Sequence, residues 1–259
     1  MMFALQLSFT NWRGSGVAEW VGLSNYTFLL TNPDFWNALS NSAVLWLLIV
    51  PAQLAIALFA AIGLNNAVIQ MRGFYRTVYV VPFVTPLVAM AQVWIILFDR
   101  DFGAVNTLLG LVGLPDIAWL TSTFWSKPTL ALLFIWKTTG FAIIILLSGL
   151  QTIPNEVYEA AELDGATPRR RVWSITLPLI RRTVVFLMVM QTIAIFQMFA
   201  EPFVMTRGGP HGSSTTAGLY LYEFIGVSDF GTGAAGTFLL VVIVMAMSLL
   251  FLRLLRPKD

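Results

Sequence analysis

The sequence predicts an all-α integral membrane protein whose chain crosses the bilayer five times. Hydrophobic residues make up 58% of its 259 residues, and the mean hydropathy is +0.79. Charged residues make up only 11%, whereas a soluble protein has about 25%. This balance excludes a disordered chain and an ordinary water-soluble domain. Lipid must therefore be the solvent for much of the chain.

The gaps between charged residues define the predicted spans, because an ionised side chain is costly in hydrocarbon. Four of the gaps contain no Asp, Glu, Lys or Arg, and a fifth contains only Lys137. Each gap supplies about 20 helical residues, which is the length needed to cross roughly 30 Å of hydrocarbon. The predicted spans are residues 38–63, 75–98, 128–150, 178–203 and 233–255.

A shorter hydrophobic segment, Met1–Phe9, precedes the five predicted spans. It is too short to cross the bilayer, and it lacks the basic start and the small-residue cleavage site of a signal peptide. We expect it to be the outer end of a truncated first helix.

The distribution of Lys and Arg between the loops predicts the orientation, since short cytoplasmic loops carry an excess of basic residues. The basic side is cytoplasmic, which leaves the amino terminus and residues 10–35 outside. The basic residues assigned to the outer side are Arg13, Arg100, Lys127 and Arg207. Those assigned to the cytoplasmic side are Arg72, Arg76, Arg169, Arg170, Arg171, Arg181, Arg182, Arg253, Arg256 and Lys258.

Several chemistries are excluded by the residue types present. The chain has no cysteine, so it has no disulfides, thiolate metal sites or iron–sulfur clusters. Its one histidine, His211, cannot form a multi-histidine metal site, and a loop-stabilising role is the better interpretation. The sequence contains no phosphate-binding loop, no zinc-protease motif and no basic stripe with stacking aromatics. We therefore expect no metal, no cofactor and no nucleic-acid partner for this chain.

The only long cytoplasmic loop predicts two short helices around a tight turn. Its sequence, at residues 153–180, is IPNEVYEAAELDGATPRRRVWSITLPLI. Pro154 suits a first helical turn, and Gly165 suits the left-handed residue that ends a helix. Thr167 can cap the second helix, with Pro168 at its first position. The following span is expected to begin near Thr176 and Pro178.

The first of these short helices presents an acidic ridge beside small side chains. Glu156, Glu159 and Glu162 recur every three residues. Small residues let another protein approach the backbone closely, and a carboxylate at the edge of the contact can accept a bidentate arginine. The pattern fits a docking surface and a solvated loop helix about equally.

This loop resembles the EAA loop of binding-protein-dependent ABC importer permeases. The resemblance is carried by Glu159-Ala160-Ala161, Gly165, Ile175 and Leu177-Pro178. The run Glu-Ala-Ala-Glu-Leu-Asp-Gly-Ala at 159–166 is most similar to the carbohydrate-uptake branch, which includes maltose-type and glycerol-3-phosphate-type permeases. Two other segments resemble that branch, Val21-Gly22-Leu23-Ser24-Asn25-Tyr26 and Gly208-Gly209-Pro210.

The resemblance implies an ABC type I importer transmembrane domain over residues 1–259, with a coupling loop at 151–177. It implies a second homologous permease subunit, two ABC ATPase subunits that bind ATP and Mg²⁺, and an extracellular substrate-binding protein. The implied location is the bacterial inner membrane, with the loop and the carboxyl terminus in the cytoplasm. The chain itself would be non-catalytic. The residues implied to couple it to the ATPase are Glu159, Ala160, Ala161, Asp164 and Gly165.

Polar and aromatic side chains within the spans are candidates for a substrate path. Lys137 lies near mid-depth, where an exposed charge costs at least about 2.5 to 3.5 kcal/mol, so it should face protein or water. Gln197 and Glu201 are predicted to share one helical face. Helix-to-helix bonding or interfacial anchoring would also explain such residues. The candidates are Trp94, Phe98, Lys137, Thr138, Gln191, Gln197 and Glu201.

Prolines and small residues in the spans suggest bends and close contacts. Prolines remove helix hydrogen bonds, and the resulting bends are either hinges or static kinks. Small residues allow close helix contact, and a subunit interface is one expected place for it. The prolines are Pro51, Pro82, Pro86 and Pro202. The small residues are Ala57, Ala61, Gly231, Gly233 and Gly236.

Three functions compete at this point. The first is the permease subunit of an ATP-driven importer for a sugar or sugar-like solute. The second is an intramembrane enzyme, which would need acids, nucleophiles or metal ligands converging at membrane depth. The spans offer only Lys137 and Glu201 for that purpose. The third is a channel or scaffold that needs no ATPase, and copurification with an ATP-hydrolysing subunit would distinguish it from the first.

Overall fold

A computed structural model describes residues 1–65 and 72–254, and this part of the chain consists of helices joined by turns. Helices prevail because lipid offers no partner to a backbone amide or carbonyl, so each must be satisfied within its own segment. The predicted all-α class is confirmed. Position 255, Arg256, Lys258 and the side chains of Arg72 and Arg76 lie outside the described residues.

The amino-terminal region forms two short helices before the first long one. These are α1 (Met2–Leu7), α2 (Ser24–Thr31) and α3 (Pro33–Asn65). Asn25 joins the first two, because its Nδ2 donates to the carbonyls of Ser8 and Thr10, each at 2.9 Å. Helix α3 continues through Pro51 and contains the predicted span 38–63.

The next predicted span, 75–98, is wrong as a single helix. It is divided into α4 (Arg72–Val84) and α5 (Leu87–Leu97). The break falls at Thr85 and Pro86, because Pro86 has no amide hydrogen and disfavours helical backbone in the residue before it. The Thr85 hydroxyl donates to the Val81 carbonyl at 2.8 Å. Two helices follow, α6 (Ala104–Leu111) and α7 (Ser126–Leu150), and α7 agrees with the predicted span 128–150.

The loop after α7 contains the two predicted short helices, α8 (Asn155–Leu163) and α9 (Pro168–Arg171). Beyond α9 lie a π-helical turn, Val172–Thr176, and α10 (Leu177–Leu179), and then α11 (Arg181–Phe196). The predicted span 178–203 is therefore wrong at both ends. At its start the chain bends by 69° between Pro168–Leu179 and α11. Pro178 contributes to this bend, because it cannot donate to the carbonyl four residues before it.

At the other end, α11 stops at Phe196, and a separate helix α12 (Ala200–Met205) follows. Pro202 lacks the amide hydrogen that a continuous helix would direct to the Met198 carbonyl. The Thr216 hydroxyl donates to that carbonyl instead. The remaining helices are α13 (Ala217–Gly226) and α14 (Phe230–Leu254).

Three of the described helices, α3, α7 and α14, are individually long and apolar enough to cross a membrane. Two bent pairs also qualify if each is counted as one span: α4 from Thr77 onward with α5, and Pro168–Leu179 with α11. Within residues 1–65 and 72–254 the number of spans is thus three, or up to five.

Contacts divide the chain into two compact units, each with its own core. The first unit comprises Met1–Leu48, Pro86–Leu133 and Thr192–Met247. The second comprises Ile49–Thr85, Phe134–Gln191 and Ser248–Asp259. The core of the first includes Leu29, Phe35, Phe196, Ala235 and Leu240. The core of the second includes Ala57, Ala61, Leu146, Ile180 and Leu187.

The small residues predicted at close contacts serve contacts inside these units. A Cβ at Gly231 would collide with the Thr10 carbonyl, and one at Gly236 would collide with the Leu221 side chain. Ala57 and Ala61 are fully buried in the second core. Their size is therefore explained by packing within the chain.

Candidate functional site

Helix α8 ends in the turn that its sequence predicts. The Gly165 amide donates to the Glu162 carbonyl at 3.0 Å, and the Ala166 amide donates to the Ala161 carbonyl at 2.9 Å. This pair of bonds is the Schellman motif, which requires a left-handed residue just after the helix. Gly165 has φ +71°, and apart from its two chain neighbours no atom in the described part of the chain lies within 4 Å of the place a Cβ would occupy. Backbone conformation, not lack of space, therefore favours glycine here.

The chain after this turn is tied back to α8. Thr167 caps α9 by accepting the Arg170 amide at 3.3 Å, as predicted. The Tyr158 and Thr176 hydroxyls are hydrogen-bonded at 3.1 Å. Arg171 and Glu162 form an ion pair at 3.6 Å. These contacts connect α8 to the segment that leads into α11.

Helix α8 packs one face on the core of its own unit. Val157 and Tyr158 pack against the second core, and Ala161, one turn after Val157, is only 7% exposed. Ala160 and Glu159 lie on the opposite side and are exposed. The structure thus gives different environments to Ala160 and Ala161, which the sequence pattern did not distinguish. Ala161 serves internal packing, and Ala160 is exposed.

The exposed side of α8 and its turn form a mixed acidic and apolar surface, which we call the docking face. Leu163 is 90% exposed on it, and sequence reasoning missed this residue. The sequence could have indicated it, because Leu163 is an apolar residue of α8 that lies outside the helix face of Val157 and Ala161. Full burial of a leucine side chain stabilises a contact by about 1.5 to 3 kcal/mol. The docking face consists of Glu156, Glu159, Ala160, Leu163, Asp164 and Gly165.

Two candidates for the substrate path, Trp94 and Phe98, contact each other. Their rings stack with centroids 5.0 Å apart, and Phe98 also meets the edge of Trp119 at 5.4 Å. Both side chains are half-buried. The arrangement is an internal aromatic cluster of the first unit, and a sugar ring would have to compete with these contacts.

Thr138 is engaged in a buried contact between two helices. Its hydroxyl donates to the Phe134 carbonyl at 2.7 Å and accepts Nε2 of Gln53 on α3 at 2.7 Å. These bonds occupy the donor and one acceptor position of the hydroxyl. Lys137, the preceding residue, is half-buried, and no hydrogen bond or ion pair is made by it within the described part of the chain. Thr138 thus has a structural role, whereas the charge of Lys137 has no partner among residues 1–65 and 72–254.

Gln197 opens onto a cavity of about 420 Å³ in the first unit. Phe199, Tyr222, Phe230 and Thr237 also line this cavity. Because α11 ends at Phe196, the prediction that Gln197 and Glu201 share one helical face is wrong. Gln191 and Glu201 are both buried. Helix α12, which carries Glu201, packs against α5.

The loop that carries Gly208-Gly209-Pro210 and His211 is held by side chains that sequence reasoning did not single out. Asn41 donates to the carbonyls of Gly212 and Thr215 at 2.8 and 3.0 Å. Lys127 Nζ donates to the Ser213 carbonyl at 2.7 Å. His211 is exposed, with φ +51°. In residues 1–65 and 72–254, no cluster of three His, Cys, Asp or Glu side chains could hold a metal ion.

The long apolar helices define the chain as a helical membrane protein, and the docking face is an exposed acidic and apolar surface on the short helix α8. Residues 53–257 match the family described as the binding-protein-dependent transport system inner membrane component. The chain belongs to this family. The family is the transport component of such systems, so the chain is not itself an enzyme.

Similar proteins include named sugar transporters. The chain is 35% identical over 243 residues to the sulfoquinovosyl glycerol transport system permease protein SmoG of Agrobacterium fabrum, covering 93% of this chain and 79% of that protein. It is 34% identical over 253 residues to the lactose transport system permease protein LacF of Rhizobium radiobacter, covering 95% and 84%. The trehalose/maltose permease MalF of Thermococcus litoralis is 30% identical over 233 residues, covering 90% and 79%.

Two solved structures share the fold. A bacterial ABC transporter involved in the import of the acidic polysaccharide alginate has a chain that matches with a TM-score of 0.82 and 25% identity, covering 100% of this chain and 89% of that one. The alginate transporter in complex with an alginate pentasaccharide-bound periplasmic protein matches with a TM-score of 0.83 and 23% identity, covering 98% and 87%.

Proposed function

We propose that this chain is the transmembrane permease subunit of an ATP-driven importer for a carbohydrate or sugar-like solute. Its family supports transport fed by a binding protein. The solutes named for its relatives, sulfoquinovosyl glycerol, lactose and trehalose or maltose, support the carbohydrate class. The exposed docking face, with Leu163 at its end, is the single observation that carries coupling to a separate subunit.

The proposed topology counts each bent pair as one span. The five spans are then α3, α4 with α5, α7, α11 as the crossing part of its bent pair, and α14, with α1 preceding them. The basic residues near the ends of these spans support a cytoplasmic carboxyl terminus and a cytoplasmic loop 151–177. Residues 1–259 then form one transmembrane domain in the bacterial inner membrane.

The proposed partners follow from this topology and from the family. A second homologous permease subunit would complete the pathway, two ABC ATPase subunits would bind ATP and Mg²⁺, and an extracellular binding protein would deliver the solute. On the ATPase, a basic residue would pair with Glu159, and an apolar cleft would receive Leu163. Movement of α8 would pass through the Tyr158–Thr176 hydrogen bond and the Arg171–Glu162 ion pair to the segment before α11.

The two alternative functions have less support. An intramembrane enzyme conflicts with the family, which is the transport component. A channel or scaffold without an ATPase would leave the docking face without a use. A protein contact is favoured because Glu159 and Leu163 are exposed one turn apart on α8, while Ala161 packs the other side of that helix into the core.

Reconstitution tests the proposed function. The tagged chain is purified with its bound subunits from native membranes and placed in vesicles with ATP on the docking-face side. We expect a labelled carbohydrate to be transported only when both ATP and the binding protein are present. Equal flux without ATP would contradict the importer and favour a channel.

Lys137 is proposed to face the pathway, because a charge near mid-depth needs compensation and the described part of its own chain supplies none. We expect Lys137→Met to lower the rate of ATP-driven uptake at least tenfold without lowering the amount of assembled complex. Lys137→Arg, which keeps the charge, should retain most of the uptake. A Lys137→Met complex with unchanged affinity and rate would remove Lys137 from the path.

A further inference from the structure

The segment between α8 and α11 carries an exposed surface that the proposed coupling does not use. Trp173 is 64% exposed and Leu179 is 53% exposed. Arg169 and Arg170 are also exposed, and with Thr167 and Trp173 they line an open groove of about 360 Å³. Large apolar side chains and guanidinium groups are therefore neighbours on this surface.

The bend before α11 sets the inclination of this surface to the membrane. Residues Pro168–Leu179 leave the axis of α11 at 69°. If α11 stands near the membrane normal, a segment at that angle lies close to the plane of the bilayer surface. Ile180, at the bend, is buried, and Arg182, just after it, is exposed. Arg182 is thus an exposed guanidinium group at the start of α11, two residues after the bend.

The positive charges of this surface have few acidic partners in the part of the chain that the structure describes. Within the described residues, Arg169, Arg170 and Arg182 form no ion pair. Arg171 differs, because it pairs with Glu162 at 3.6 Å. These three exposed guanidinium groups could therefore bind an anion that lies beside the segment.

We propose that residues 168–182 bind anionic phospholipid. Arg169, Arg170 and Arg182 contact the headgroup phosphates, while Trp173 and Leu179 lie between the headgroups and the upper acyl chains. Tryptophan is enriched at this depth, and an amphipathic segment with basic and apolar side chains lies in the interface plane. The proposal requires only that the chain is a membrane protein, so it stands apart from the proposed transport function.

A lipid titration tests whether the three arginines bind anionic headgroups. The full chain with its bound subunits, in neutral detergent, is titrated with fluorescent phosphatidylglycerol and with phosphatidylcholine of the same acyl chains. We expect each of Arg169→Gln, Arg170→Gln and Arg182→Gln to weaken phosphatidylglycerol binding roughly fivefold, and the triple variant roughly a hundredfold. Phosphatidylcholine binding should not change. The matched controls Arg13→Gln and Arg100→Gln remove exposed charges elsewhere and should leave both affinities unchanged.

Two results of this titration would overturn the proposal. One is unaltered phosphatidylglycerol affinity in the triple variant. The other is full displacement of the lipid by inorganic phosphate, which would indicate a site for a small soluble anion. These arginines are exposed, so their substitution should leave the fold intact.

A depth measurement tests the geometry independently. The chain has no cysteine, so Ser174→Cys places a unique spin label on an exposed position beside Trp173. In bilayers that contain phosphatidylglycerol, we expect collisions with oxygen and with a water-soluble nickel chelate to place the label at the interface. A label in bulk water would overturn the proposal. Protection that appears only when the ATPase is bound would also overturn it, and would assign the surface to that subunit.

Discussion

Reversal of Glu159 to Lys should abolish ATP-driven uptake while leaving the amount of inserted chain unchanged. Glu159 is exposed on a helix anchored by Val157 and Ala161, so its substitution does not disturb the core. In the complex, a lysine would face the basic residue proposed on the ATPase. Loss of one partner of a buried charge pair costs about 2 to 5 kcal/mol, which weakens ATPase association by roughly 30-fold or more. The measurements are ATPase copurification and uptake in the reconstituted vesicles.

The control for Glu159→Lys should make the same charge change away from the docking face. Asp116 is exposed in the segment between α6 and α7, so Asp116→Lys serves this purpose and should leave uptake unchanged. Leu163→Asp should weaken ATPase association, because it removes the apolar part of the proposed contact. Leu163→Met, which keeps an apolar side chain, should retain most of the uptake. Full uptake in Glu159→Lys would contradict the docking proposal.

Substitution of Gly140 should cause the largest loss of folded protein. A Cβ at this position of α7 would overlap the carbonyl group of Tyr79 on α4. The rings of Phe83 and Phe141 stack beside this contact with centroids 5.2 Å apart, so the two helices have little freedom to separate. Overpacking of a close contact typically costs about 1 to 3 kcal/mol, and we expect Gly140→Ala to reach the upper end of this range and Gly140→Leu to prevent folding. The readout is the thermal midpoint of the detergent-solubilised protein.

Gly63 supplies the matched control for this substitution. It also lies in a long helix, but apart from that helix's own backbone no atom of the described residues stands within 4 Å of the place its Cβ would occupy. We expect Gly63→Ala to be neutral or slightly stabilising, because alanine has the higher helix propensity by about 1 kcal/mol. Equal thermal midpoints for Gly140→Ala and Gly63→Ala would show that the contact at Tyr79 is not tight.

The local features of the chain were predictable from its sequence. The gaps between charged residues, of which the one at α7 contains only Lys137, predicted the apolar helices α3, α7 and α14, because the cost of burying a charge in hydrocarbon is a property of each residue alone. The turn at Gly165 and the cap at Thr167 were predictable for the same reason, since each depends on residues within one turn of the helix. The family pattern in the loop was likewise contained in a short segment.

Other features depended on partners distant in the chain, and only the tertiary structure decided them. Ala160 and Ala161 differ because a core formed by α3, α7 and α11 lies against one side of α8. Thr138 is structural because Gln53 lies opposite it, and Gly140 must be glycine because the backbone of α4 passes there. Sequence alone thus determined the long apolar helices α3, α7 and α14 and the turn at Gly165, since those free energies are local, but not the breaks inside the predicted spans 75–98 and 178–203. Which side of each helix is left for a partner was decided by packing between segments far apart in sequence.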